Sequence, residues 1–137
     1  MGDGRAGWYA MSDIQTELDR LFVRARSQFF PKWDTAREWR IVEGRRRGWD
    51  GETGYCSSQE KRIYIDTSEA GWLSRDELLA LIIHEICHDV ATAHHLERWA
   101  TRMEKAAQKA ERFSDFELAD TIRANAIDAL DPFHFHH

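Results

Sequence analysis

Ser74-Arg75-Asp76-Glu77-Leu78-Leu79-Ala80-Leu81-Ile82-Ile83-His84-Glu85-Ile86-Cys87-His88-Asp89-Val90 carries both a helix and a chemical pattern on that helix. Ser74 followed three residues later by Glu77 is a capping box: the serine hydroxyl accepts from the Glu77 N–H, and the glutamate reaches back. Leu73 and Leu78 stand where a hydrophobic staple would close the first turn. Leu79, Ile82, Ile83, Ile86 and Val90 then recur at helical spacing, which predicts a helix to about Val90 or Thr92.

His84 and His88 are four residues apart, so on a helix their imidazoles lie on one face, one turn from each other. Two imidazoles so placed can meet one tetrahedral metal ion. Glu85 is rotated from His84 by about 100° around the helix, which lets a carboxylate reach a water beside the metal without ligating it. The pattern reads as metal ligands His84 and His88 with Glu85 as general base. Core histidines would sit on the apolar stripe; this pair falls roughly opposite it, toward a cleft. Asp89 is a candidate to hold the second nitrogen of a ligand histidine. Cys87 lies between the histidines with no separate base indicated, so a small apolar packing role is expected rather than a nucleophile.

A catalytic zinc needs a third protein ligand and an open position. His94 lies six residues after His88, the third-ligand spacing of metzincins, but Ala91 stands where that motif has glycine. His95 lies seven after His88 and four before Trp99. His84-Glu85-Ile86-Cys87-His88 followed by His95-Leu96-Glu97-Arg98-Trp99 resembles the SprT-like (Spartan-type) metalloproteases, a zincin group, and the likeness spans roughly Leu18 to Ala110. The resemblance implies His95 as third ligand, with His94 the alternative, one zinc ion, and hydrolysis of peptide bonds by a metal-activated water with Glu85 as base. It implies an α+β fold: a zincin-like small mixed sheet packed on the HExxH helix, with further N- and C-terminal helices. Leu96 departs from the family glycine, and the cysteine pairs of a zinc ribbon are missing. A zinc-binding but non-proteolytic scaffold or regulatory module is the alternative reading. Tyr55, Tyr64, Arg98 and Arg102 are candidate oxyanion donors, and the strand Arg62 to Asp66 is the candidate sheet edge for an extended peptide substrate.

Outward from the motif, Ile14, Leu18, Leu21, Phe22, Ala25 and Phe29 predict a helix over roughly 12–30, ended by Pro31. Residues 37–43 alternate with Trp39 and Ile41 on one side, Tyr55 and Cys56 open a second strand, and residues 61–67 form a third. The four glycines within residues 44–54, the two ends included, mark a loop. A helix is expected from Glu97 to about Arg112 with Trp99, Met103, Ala106, Ala107 and Ala110 inward. Ser114-Asp115-Phe116-Glu117 repeats the Ser-x-x-Glu capping signal and starts a last helix to about Leu130, with Leu118, Ile122 and Ile127 on its apolar side.

The 137 residues suit one domain over 12–130, with 1–11 a flexible leader and 131–137 a tail. A net charge of -5 does not support nucleic-acid binding, and Arg45-Arg46-Arg47 reads as a solvated turn. The two cysteines suggest free thiols in a reducing, cytoplasmic setting. No apolar run is long enough to span a membrane. The expected partner is a protein or peptide substrate; the oligomeric state is open.

Overall fold

The computed structural model describes residues 11–44, 53–66, 68, 73–91 and 96–130. Among them are four helices and a three-stranded sheet, a mixed α+β arrangement. Helix α1 (Met11–Arg24) continues into a wider π-helical turn, Ala25–Phe29. Strands β1 (Arg40–Glu43), β2 (Gly54–Ser57) and β3 (Arg62–Ile65) follow, then α2 (Arg75–Val90), α3 (Leu96–Arg112) and α4 (Phe116–Leu130).

The N-terminal helix forms because its apolar residues share a face: Leu18, Leu21, Phe22, Ala25 and Phe29 are buried. Its last turn is loosened where the Phe30 N–H reaches back to Ala25 O at 3.2 Å, and Pro31 cannot continue it. Asp34 then organises the path into the sheet. Its carboxylate pairs with Arg26 at 3.0 Å and accepts from the Glu38 and Trp39 backbone at 2.8 and 3.2 Å. Trp39 and Ile41 are buried as their alternation predicts.

The sheet order is β1-β3-β2, with β1 parallel and β2 antiparallel to β3. Strand β3 is therefore central. The expectation that Arg62 to Asp66 forms the open edge is overturned, because all four residues of β3 pair on both sides. Ile63 and Ile65 are fully buried, and that inward face meets α2. Of the two outer strands, β1 is already covered: the Gln15 amide of α1 donates to Ile41 O at 3.0 Å and accepts from the Glu43 N–H at 2.8 Å. The Asp66 N–H donates to Thr53 O at 2.8 Å. That contact sets the antiparallel alternation, so Gly54 and Cys56 turn their backbone groups away from β3.

Helix α2 starts at the Ser74 capping box, with both reciprocal bonds formed, at 3.1 and 2.9 Å. It buries Leu79, Ile82, Ile83 and Ile86 completely. Helices α3 and α4 pack on it and on each other through Trp99, Met103, Ala106, Ala107, Ala110, Leu118 and Ile122. Two details of α4 differ from expectation. Asp115, not Ser114, caps it: Asp115 Oδ1 accepts from the Leu118 N–H at 3.2 Å, while Ser114 takes a left-handed φ of 61° that closes the preceding turn. Ile127 is 70% exposed rather than part of the apolar face. No helix among the described residues is long and apolar enough to cross a membrane. Residues 1–10 of the expected leader, the tail, and the Arg45-Arg46-Arg47 turn lie outside the described residues, while Met11, placed in the leader, opens α1.

Candidate metal centre

The buried stripe of α2 fixes its rotation and turns the opposite side of the helix toward α3 and α4. There the rings of His84 and His88 stand 4.9 Å apart between centroids, inclined by 62°. Both side chains are half-buried. Both rings contact Trp99 of α3. Its ring meets His84 edge-on at 4.6 Å and stacks on His88 at 5.6 Å. The indole N–H donates to His84 O at 3.1 Å, which locks the tryptophan to the helix backbone. Asn125 of α4 completes the flank: its Oδ1 lies 2.7 Å from His84 Nδ1.

Glu85 leaves the helix on another side and is only 4% exposed. Its carboxylate lies against Gly54 of β2. A Cβ placed on Gly54 would sit 2.6 Å from Glu85 Oε2, closer than any side chain can approach. The bare strand backbone therefore provides the space the carboxylate fills.

The same face of β2 carries Cys56. Burial pushes its thiol well above the ordinary range, and the nearby charges of Glu85 and Asp89 push it further. Cys87 is fully buried and its thiol is raised by that burial, with Arg102 opposing and Glu85 adding. Neither environment generates a thiolate nucleophile.

Among the described residues, Asp89 does not reach a nitrogen of a candidate ligand histidine, contrary to expectation. It accepts from Trp33 Nε1 at 2.8 Å and from Ser58 Oγ at 2.6 Å, tying α2 to the segment before β1 and to the β2–β3 turn. The contact foreseen for Asp89 is made by Asn125, which sequence reasoning missed. A signal was present: Asn125 falls seven residues after Leu118 and three after Ile122, an amide on the buried face of α4.

Tyr55 and Tyr64 face each other across β2 and β3. Side chains alternate along a strand, and Gly54 points at Glu85, so both tyrosines lie on the face turned away from α2. Tyr64 Oη donates to Glu60 at 2.8 Å. They do not suit the oxyanion role. Arg98 and Arg102 are exposed on α3. His94 and His95 lie outside the described residues, and among the described residues no three His, Cys, Asp or Glu side chains cluster as a metal site.

The donor set that is visible fits a zinc ion. Two imidazoles share a helix face, one has its Nδ1 engaged by an amide oxygen, and a carboxylate flanks them without belonging to the pair. No family model and no curated protein matches the sequence.

Proposed function

We propose that the protein is a zinc-dependent metallopeptidase of the zincin type, related in plan to the SprT-like proteases. One observation carries the reading. His84 and His88 stand side by side on α2, and the next residue after His84, Glu85, places a buried carboxylate against the bare backbone of Gly54.

His84 and His88 would hold the ion, with His95, or alternatively His94, as third ligand. Zinc, when bound there, supplies Lewis acidity that acidifies a water and polarises the scissile carbonyl. Glu85 takes the proton from the attacking water on its carboxylate and returns it to the leaving amine. Burial of Glu85 beside β2 keeps bulk water from competing for that proton.

The substrate is an extended peptide added to β2. Gly54 and Cys56 turn backbone donors and acceptors outward, whereas the matching groups on β1 are bonded to Gln15. A peptide hydrogen-bonded along β2 passes next to Glu85, and backbone recognition of this kind selects conformation more than side chains.

Metal analysis joined to a quenched-peptide or casein assay tests the proposal. One equivalent of zinc is expected, lost in His84→Ala and kept in Glu85→Gln, with hydrolysis absent from both. Protein purified with ample zinc yet free of metal overturns the reading. Zinc uptake with no hydrolysis in the wild type favours the non-proteolytic module.

A further inference from the structure

We propose that Asn125 is a positioning residue for His84, holding the ring in the tautomer that presents Nε2 to the metal; this deepens the zinc reading and rests on it. The carbonyl oxygen of an asparagine only accepts hydrogen bonds. Oδ1 lies 2.7 Å from His84 Nδ1, a contact that is a hydrogen bond when Nδ1 carries the proton and the lone pair is on Nε2. A free histidine side chain in water favours the opposite tautomer, with the proton on Nε2, so the contact sets a state the unheld ring would not favour.

The surroundings make the hold firm. Trp99 closes the edge of the His84 ring and is itself 2% exposed. Leu118 and Ile122 bury the face of α4 that carries Asn125 against the core. Arg123 clamps that helix to α3 through Glu104 at 2.8 Å and Glu111 at 2.6 Å. Helix α4 thus serves the site directly, although its residue lies 41 positions from the ligand it orients. The amide is neutral, so it orients the ring without adding negative charge beside the ion. Replacing such a partner of a ligand histidine costs about 10- to 100-fold in metal affinity.

The test uses metal-free protein first. Long-range proton–nitrogen spectra at pH 8 report which nitrogen of His84 is protonated. The wild type and Asn125→Asp should show Nδ1–H; Asn125→Leu, close in volume, should shift His84 toward Nε2–H. Competition titrations should then give zinc binding about 10- to 100-fold weaker in Asn125→Leu and restored in Asn125→Asp. Circular dichroism checks that both variants keep their helices, and the aspartate variant decides should the leucine variant unfold. A wild-type His84 protonated on Nε2, or zinc held equally tightly by wild type and leucine variant, overturns the positioning role alone. A wild-type protein that takes up no zinc overturns the metal reading and this role with it.

Discussion

Gly54 has no room for a methyl group, and the atom in the way is the end of a flexible side chain, Glu85 Oε2. Gly54→Ala should therefore leave the backbone in place and push the carboxylate aside. Stability is expected to change by no more than about 1 kcal/mol, since an alanine suits a strand no worse than glycine. Hydrolysis should fall by about 10- to 100-fold, because a general base misplaced by about 1 Å loses much of its effect. Thermal melts and peptide turnover on the same sample check both halves; full turnover in the alanine variant would contradict the packing of Glu85 on β2. The thiols give a second expectation at this scale. Burial raises both Cys56 and Cys87, and Glu85 adds to each. Neither should react with a disulfide reagent at pH 8 within minutes, and both should react once guanidinium unfolds the chain. Rapid reaction of Cys87 in native protein would mean that the back of α2 is open to solvent.

Single elements were legible where the cause is local. The Ser74 capping box, the stripe of α2 and the inward residues of α3 follow from spacings of three and four, and all take the predicted places. The His84–His88 juxtaposition follows from the same geometry. What alternation cannot show is a strand's neighbours. Ile63 and Ile65 announce a buried face, but nothing in residues 62–65 reveals that β1 and β2 flank them on both sides. At the start of α4 the Ser-x-x-Glu spacing points to Ser114, but its neighbour Asp115 suits a cap equally well. Geometry chose the aspartate, and the serine took the left-handed turn. Asp115 has a further tie, its carboxylate meeting Arg24 at 3.0 Å. Asp115→Ala should lower stability by about 1–2 kcal/mol for the lost cap. Ser114→Gly should cost nothing or stabilise slightly, since glycine accepts a positive φ without strain. Urea denaturation of the two variants distinguishes them; the reverse ranking would return the cap to Ser114.

Across the whole molecule, the candidate site is an assembly that periodicity could not reveal. Helix α2 supplies the histidines, α3 the tryptophan behind them and α4 the amide on their flank, while β2 shapes the space for Glu85. The α3–α4 pairing thus frames the candidate site, and its charges give an expectation for its response to acid. Hydrogen bonds from Arg123 hold Glu104 and Glu111 below the usual carboxylate range. The unfolded chain, with ordinary carboxyls near about pH 4.3, then binds more protons than the folded one as the solution is acidified. Their contribution is complete above that range and disappears as pH falls through the lowered values. Asp76 works in the other direction. Burial, then the charge of Asp115, raises its carboxyl, so its cost at neutral pH is relieved on acidification. Arg123 is not among the groups acting on Asp76, so comparing wild type with Arg123→Gln cancels that opposing trend. Melting temperatures measured from pH 7 to pH 3 should show the wild type more stable near neutrality, with the gap narrowing below about pH 4. Added salt should narrow it too, because the groups are exposed and screened. A gap that keeps its size down to pH 3 would mean that Arg123 joins the helices through packing of its stem rather than through its charge.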